Sequence, residues 1–506
     1  MGTPRRRQDL GLRDGAVAAI GDLTSAESRS RIDATGRCVA PGFIDVHNHS
    51  DGWMLRQSTL DPKTRQGFTT EVLAADGIGY APVDESTARQ WVFYLRALNA
   101  LRFDQYRGWK SLEQMMLEID GAHVQNAATH IPYANLRTMA CGWGRHAVDD
   151  FQMREIQHQI RVGMEAGAVG LSTGLDYISQ CFSDTDELVR ACTAMAPYGG
   201  LYVTHMRYKA TLMGGLEEAL EIGRRAGVPV HISHLKAFNE ESIDLVLAWL
   251  DRARAEIDVS FDVYPYQPGS TMLNYLLPYD VWEQGPLASL DRLQDPAIRA
   301  RFRRGLDSQR LDLDHIRLAW LPGSENARHL GKTLQQYVDQ AGGDPADVLY
   351  DLLLEERMAV LCVMDEGDDR LVRPFLQHDL YMMGSDGIYH ADGLVHPRMF
   401  GSTGRLLGPC VRDLKLFTLE EAVQKLTSKA SDRFGLGRGR LEVGAPGDVV
   451  VFDPDIVSDV ATYDDPQQPT VGINDVLVAG VPIVRDQQCL TPAAMPGRFL
   501  RSKRGR

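Results

Sequence analysis

His47 and His49 stand two residues apart in Asp45-Val46-His47-Asn48-His49, at the end of the apolar run Val39-Ala40-Pro41-Gly42-Phe43-Ile44. Residues i and i+2 of a strand share a face. The two imidazoles therefore end up side by side, where they can grip one divalent cation. A lone His-x-His means little, but three more residues of suitable type follow, each closing its own apolar run. They are His205 in Tyr202-Val203-Thr204-His205, His234 in His231-Ile232-Ser233-His234, and Asp386 in Met383-Gly384-Ser385-Asp386. Two single histidines at two strand ends can complete a second metal position. Asp386 is placed to act as general base on a metal-activated water and also counts among the candidate ligands. Its bland alternative is a turn aspartate before Gly387. The pattern points to metal-assisted hydrolysis.

Asp76, in Leu73-Ala74-Ala75-Asp76-Gly77, is another acid after an apolar run and a candidate bridging ligand, since a ligand shared by two cations is best anionic. Lys236 and Arg398 are candidate anion clamps, and an arginine offers a bidentate fork to a carboxylate. Tyr264 and Tyr266, in Asp262-Val263-Tyr264-Pro265-Tyr266, are expected to face the same way. One of them, taken as Tyr266, could donate to a developing oxyanion. His231 lies three residues from His234, is expected to face away from it, and reads as structural.

These residues need many parallel strand ends at one place. From about 41 to 430 the chain alternates apolar strands, such as Leu201-Tyr202-Val203 and Leu380-Tyr381-Met382-Met383, with helical patterns such as Glu217 to Ala226 and Ser242 to Ala255. That alternation implies an α/β fold with a parallel sheet inside and helices outside. Chemistry at the C-terminal ends of several strands favours a (β/α)₈ barrel. A doubly wound sheet would need a G-x-G-x-x-G turn after a strand, and there is none in such a place. Residues 1–40 and 431–506 read as short strands and turns. A hairpin is expected at Asp14-Gly15 and another through Ala479-Gly480. One small β-sandwich domain built from both termini is expected. An inserted helical lid or subdomain is expected at about 268–345, and fraying is expected over the basic end, Arg498 to Arg506.

The chain has 506 residues and a formal net charge of −14. An acidic balance argues against nucleic acid or an anionic membrane as partner. No apolar stretch approaches membrane length, and Arg5-Arg6-Arg7 is not followed by the apolar core of a signal peptide. Seven scattered cysteines with no C-x-x-C read as reduced thiols of a cytoplasmic protein. Oligomeric state is not legible.

Taken in order, PGFIDVHNHSD, GFTTEVLAADG, GAVGLSTGLDY, YVTHMR, HISHLK, FDVYPY, MMGSDG and HPRMFGSTGRLLG, followed by FTLEEAVQKLTSKASDRFGLGRGRLEVGAPGDVVVFDP, resemble the D-aminoacylase (N-acyl-D-amino-acid deacylase) branch of the metal-dependent amidohydrolases. The resemblance runs from about residue 9 to 485. It implies the barrel with a small β-sandwich, and hydrolysis of an N-acyl-D-amino acid to a carboxylate and a free D-amino acid. It implies His47 and His49 as the first metal pair, His205 and His234 at the second position, and Asp386 as acid–base. Lys236, Arg398, Tyr177 and Tyr266 would meet the substrate's carboxylate or carbonyl oxygen. One or two zinc ions are implied. The best-known D-aminoacylases carry a cysteine where this chain has Asp76, and a harder oxygen ligand leaves another divalent metal open. The alternatives are opening of a cyclic amide (hydantoinase- or dihydroorotase-like), cleavage of another linear amide, or a non-catalytic scaffold. The scaffold reading would require lost ligands. Deamination is disfavoured because no His-x-x-Glu stands at the third histidine.

Overall fold

The computed structural model describes residues 4–309 and 311–504, without the side chains of 308 and 309. Eight parallel strands form the centre: Phe43–Asp45, Phe68–Leu73, Asn126–Thr129 (continued after His130 by Ile131–Pro132), Gly170–Gly174, Leu201–His205, Val230–Ile232, Val259–Val263 and Tyr381–Met383. Neighbours in sequence pair in parallel through the series. The ring closes between the eighth strand and the first. There Val46 donates to the Met383 carbonyl at 3.4 Å and His49 to the Gly387 carbonyl at 3.1 Å. These strands are buried along almost their whole length, as a parallel sheet covered by helices requires. The covering helices include Asp150–Ala166, Leu212–Ala226 and Glu240–Glu256. Each is capped at its N-terminus by a side chain (Asp149, Thr211 and Asn239) that accepts from a backbone N–H of the first turn.

Both termini build the smaller unit. Five antiparallel strands run in the order Gln488–Cys489, Val481–Arg485, Ile473–Val478, Val449–Phe452, Cys38–Pro41. The hairpin Asp9–Arg13/Ala16–Gly21 turns at Asp14-Gly15, both with positive φ (51° and 81°), as a two-residue hairpin loop requires. Leu10 and Leu12 of the hairpin pack on Val449, Val451 and Leu477 of the sheet, making the sandwich.

The expected boundary at 431 falls inside the helix Ser428–Phe434. Ala430 and Phe434 join Leu500, Val169 and the strand residues Ile44, Val72, Ala128, Leu201 and Met382 in one apolar cluster. The basic end is not frayed over its described part. Leu500 donates to the Ala127 carbonyl, Ser502 to that of Gly167 and Lys503 to that of Gly435. Composition signalled solvent exposure, but the backbone hydrogen bonds and the burial of Leu500 outweigh it.

The insertion is not purely helical and extends beyond 345. Its helices Pro286–Arg292, Pro296–Gln309, Leu334–Ala341 and Pro345–Glu355 accompany a three-stranded antiparallel sheet of Ser270–Met272, Leu361–Met364 and Ile316–Trp320. The closing strand, Leu361–Met364, reads like any apolar run in sequence. Only its antiparallel pairing assigns it to the insertion rather than to the barrel.

Candidate active site

Every candidate ligand lies at the C-terminal end of a barrel strand. His47 and His49 follow the first strand and Asp76 the second. His205 ends the fifth, His234 follows the sixth, and Asp386 follows the eighth. This is the face on which barrels of this type carry chemistry. Asp76, His234 and Asp386 all hold positive φ (58°, 36° and 49°). Non-glycine residues adopt that region at a cost, and they do so most often where a site demands it.

The side chains converge. His49 Nε2 lies 3.2 Å from Asp386 Oδ1 and 3.7 Å from Asp76 Oδ2. His47 Nε2 lies 3.5 Å from Asp76 Oδ1 and 3.7 Å from Asp386 Oδ1. His234 Nε2 is 3.8 Å from Asp76 Oδ1 and 2.9 Å from His205 Nδ1. At this site two groups have ligand atoms close enough together to share an ion: His47, His49 and Asp386, and His47, Asp76 and His234. Asp76 touches both histidine pairs, as a bridging ligand would.

The donors fit a divalent cation. His47 Nε2, Asp76 Oδ1 and His205 Nε2 are buried without a hydrogen-bond partner, a costly condition that a bound cation would relieve. The surrounding carboxylates make the pocket attractive to positive charge. Burial alone would push the His47 imidazole down, but the carboxylates of Asp262, Asp76 and Asp386 carry it up to about 10. Burial, with His205 beside it, pushes His234 down to about 3, so it is neutral and able to ligate.

Arg398, fully buried, places Nη1 2.9 Å from Asp386 Oδ2, which leaves Oδ1 facing the histidines. Burial pushes the Asp386 carboxyl up, but Arg398, His49 and His47 hold it well below the usual carboxylate range. Lys236 Nζ donates to the Tyr264 hydroxyl at 2.7 Å and to the carbonyls of Gln267 and Pro268. Arg398 and Lys236 both lie over the Tyr264 ring. The Tyr177 ring packs 4.7 Å from that of His205. Tyr266 is the exception. Its hydroxyl donates to Asp459 at 3.1 Å, and Arg405, itself paired to Asp459 and Asp369, lies over its ring. The strand ends at Val263, so the alternation expected to turn Tyr264 and Tyr266 the same way does not continue through Pro265. Tyr264 takes the place beside Lys236 and Arg398.

Three residues at the site went unread in the sequence. Asp176 accepts from Tyr275 and Tyr279 of the insertion at 3.0 and 2.8 Å and lies 3.5 Å from His205 Nε2, joining insertion to site. Tyr208 packs its ring on His205 and His234. Asp262, in the seventh strand, contacts both His47 and His234. A carboxylate between Phe261 and Val263 in a buried strand was the available signal for Asp262. Asp176 and Tyr208 lie in loops and gave none.

The amidohydrolase family profile matches residues 31–257 and 376–484, breaking across a span that contains the insertion. The chain is 35% identical to a D-aminoacylase of Alcaligenes xylosoxydans xylosoxydans, over 96% of this chain and 92% of the relative. The chain belongs to the D-aminoacylase branch of the amidohydrolase family. It is equally similar, at 35%, to an N-acyl-D-glutamate deacylase of the same organism, over 99% of this chain and 94% of that one. In structure it is similar to the N-acyl-D-glutamate deacylase of Bordetella bronchiseptica (TM-score 0.83, 32% identity, 99% of this chain and 97% of that one). That structure holds zinc and a phosphonate inhibitor that mimics the tetrahedral intermediate of the reaction.

Proposed function

We propose that this amidohydrolase cleaves the linear amide of N-acyl-D-amino acids, releasing a carboxylate and a free D-amino acid. The observation that carries the reading is the convergence of His47, His49, Asp76, His205, His234 and Asp386 at one barrel mouth, in a family whose relatives are deacylases of D-amino acids. Those four histidines and Asp76 would hold one or two divalent ions, with Asp386 at their edge. A metal held there would supply Lewis-acid polarisation of the scissile carbonyl and a lower pKa for the attacking water. Asp386 takes the proton of that water through Oδ1 and returns it to the leaving amine. Arg398, with Lys236 and Tyr264 around it, receives the α-carboxylate. Holding that group on one side of the carbonyl fixes which enantiomer presents its amide to the metal. Tyr177 and Tyr208 wall the cluster on the side of His205 and His234.

The test joins two readings on one purified sample: metal content by elemental analysis, and amine release from paired N-acetyl-D- and N-acetyl-L-amino acids. Zinc or another divalent metal with D-selective release is expected. Bound metal without release from either series sinks the substrate assignment, and a metal-free inactive chain sinks the enzyme assignment.

The tyrosines give a second check. Tyr264→Phe removes one of the three acceptors that hold Lys236 and should raise KM about 10-fold, the scale of one hydrogen bond to a charged group. Tyr266→Phe should leave kcat near wild type. A kcat loss of ~10² or more in Tyr266→Phe, the scale of an oxyanion donor, would restore Tyr266 to the chemistry.

A further inference from the structure

Asp262 is fully buried in the seventh strand and has a partner on every side. Its Oδ1 accepts the His234 backbone N–H at 2.9 Å. Its Oδ2 lies 2.9 Å from His231 Nε2 and 3.5 Å from His47 Nδ1. His231 is fully buried too, and its Nδ1 stands 2.7 Å from the Ser260 hydroxyl. These partners set the tautomer: with Ser260 donating to Nδ1, His231 Nε2–H donates to Asp262. The fourth side is closed by Gly384, where even one added carbon would stand 2.6 Å from Asp262 Oδ1 and 2.7 Å from His47 Cβ. Only a glycine leaves room for the carboxylate and His47 together at this point.

We propose that Asp262 is the positioning residue of the metal centre. Its carboxylate fixes the ring of His47 through Nδ1, so that Nε2 is the atom offered to the cluster, and pins the backbone of His234 in its strained conformation. His231 and Ser260 hold that carboxylate in place. A carboxylate behind a ligating histidine orients the ring and raises its basicity, and losing one typically weakens metal binding 10- to 100-fold. Here one carboxylate serves ligands from two strands. His231, expected to face away, instead turns to the carboxylate that contacts both ligands, and thereby acquires a role at one remove from them.

The inference rests on the metal site of the proposed function, and the experiment separates the two. Zinc affinity is measured by competition with a chromophoric chelator on the wild-type chain, Asp262→Asn and His231→Gln, together with the thermal midpoint of each metal-free chain. A wild type that binds no zinc overturns the metal site itself. With a zinc-binding wild type, Asp262→Asn is expected to raise the zinc Kd about 10- to 100-fold, and His231→Gln to raise it by a smaller factor. A merely structural role would lower the metal-free midpoint and leave the Kd within about 2-fold of wild type, which overturns the proposal. Should Asp262→Asn fail to fold, His231→Gln decides: a raised Kd supports the assignment and an unchanged one overturns it.

Discussion

Asp386→Asn should lower kcat about 10²- to 10⁴-fold, the usual worth of a positioned acid–base group, with metal content at the wild-type value. Asparagine keeps the size of the side chain and an oxygen for the Arg398 contact now made at 2.9 Å, but it cannot take a proton from water. His47, His49, Asp76, His205 and His234 remain as donors, so the cation should stay. KM should change little, since Asp386 is not asked to hold the substrate. The measurements are steady-state kinetics on the preferred N-acyl-D-amino acid and elemental analysis of the same preparation. Metal lost in step with activity would make Asp386 chiefly a ligand. A kcat within about 10-fold of wild type would take the proton transfer away from it.

The candidate catalytic face was legible in this sequence because chemistry marks a barrel in one dimension. His47, His49, His205, His234 and Asp386 each end an apolar run, and a polar ligand closing a buried strand has few structural explanations. Asp76 was legible for the same reason, and its strained backbone gives it a second, independent mark. Side chains whose direction depends on a loop were not legible. Tyr264 and Tyr266 flank Pro265, where strand alternation stops, and only the fold turns one hydroxyl to Lys236 and the other to Asp459. The small domain was recognisable from turn chemistry at Asp14-Gly15. The docking of residues 498–503 on the barrel was not, because it is made largely by backbone hydrogen bonds, which leave no trace in residue type.

Lys63 shows the same blindness where the energetic stakes are highest. It sits in the four-residue helix Asp61–Thr64, and in sequence it is one more charge beside a proline. In the fold it is fully buried, like Asp45 and Glu71 around it. Its Nζ is bonded to Asp45, donates to the Ser385 hydroxyl at 2.6 Å and lies 3.5 Å from Glu71. Asp45 in turn accepts from the backbone N–H and hydroxyl of Ser385. The network thus clamps the strand leading to His47 and His49 against the loop carrying Asp386. Lys63→Met should cost ~3–5 kcal/mol, because two carboxylates are left buried without their cation, and that penalty exceeds what the intact ion pair contributes. Urea unfolding of the full chain reads it as a lower midpoint. Lys63→Met/Glu71→Gln should recover part of the loss, because one unpaired charge has been removed and the new amide can still bond Gln125 and Ser50, the present partners of Glu71. An unchanged midpoint in Lys63→Met, or a double variant weaker than the single one, would show that Asp45 and Glu71 do not depend on this lysine. The clamp would then have to be assigned to the direct bonds between Asp45 and Ser385.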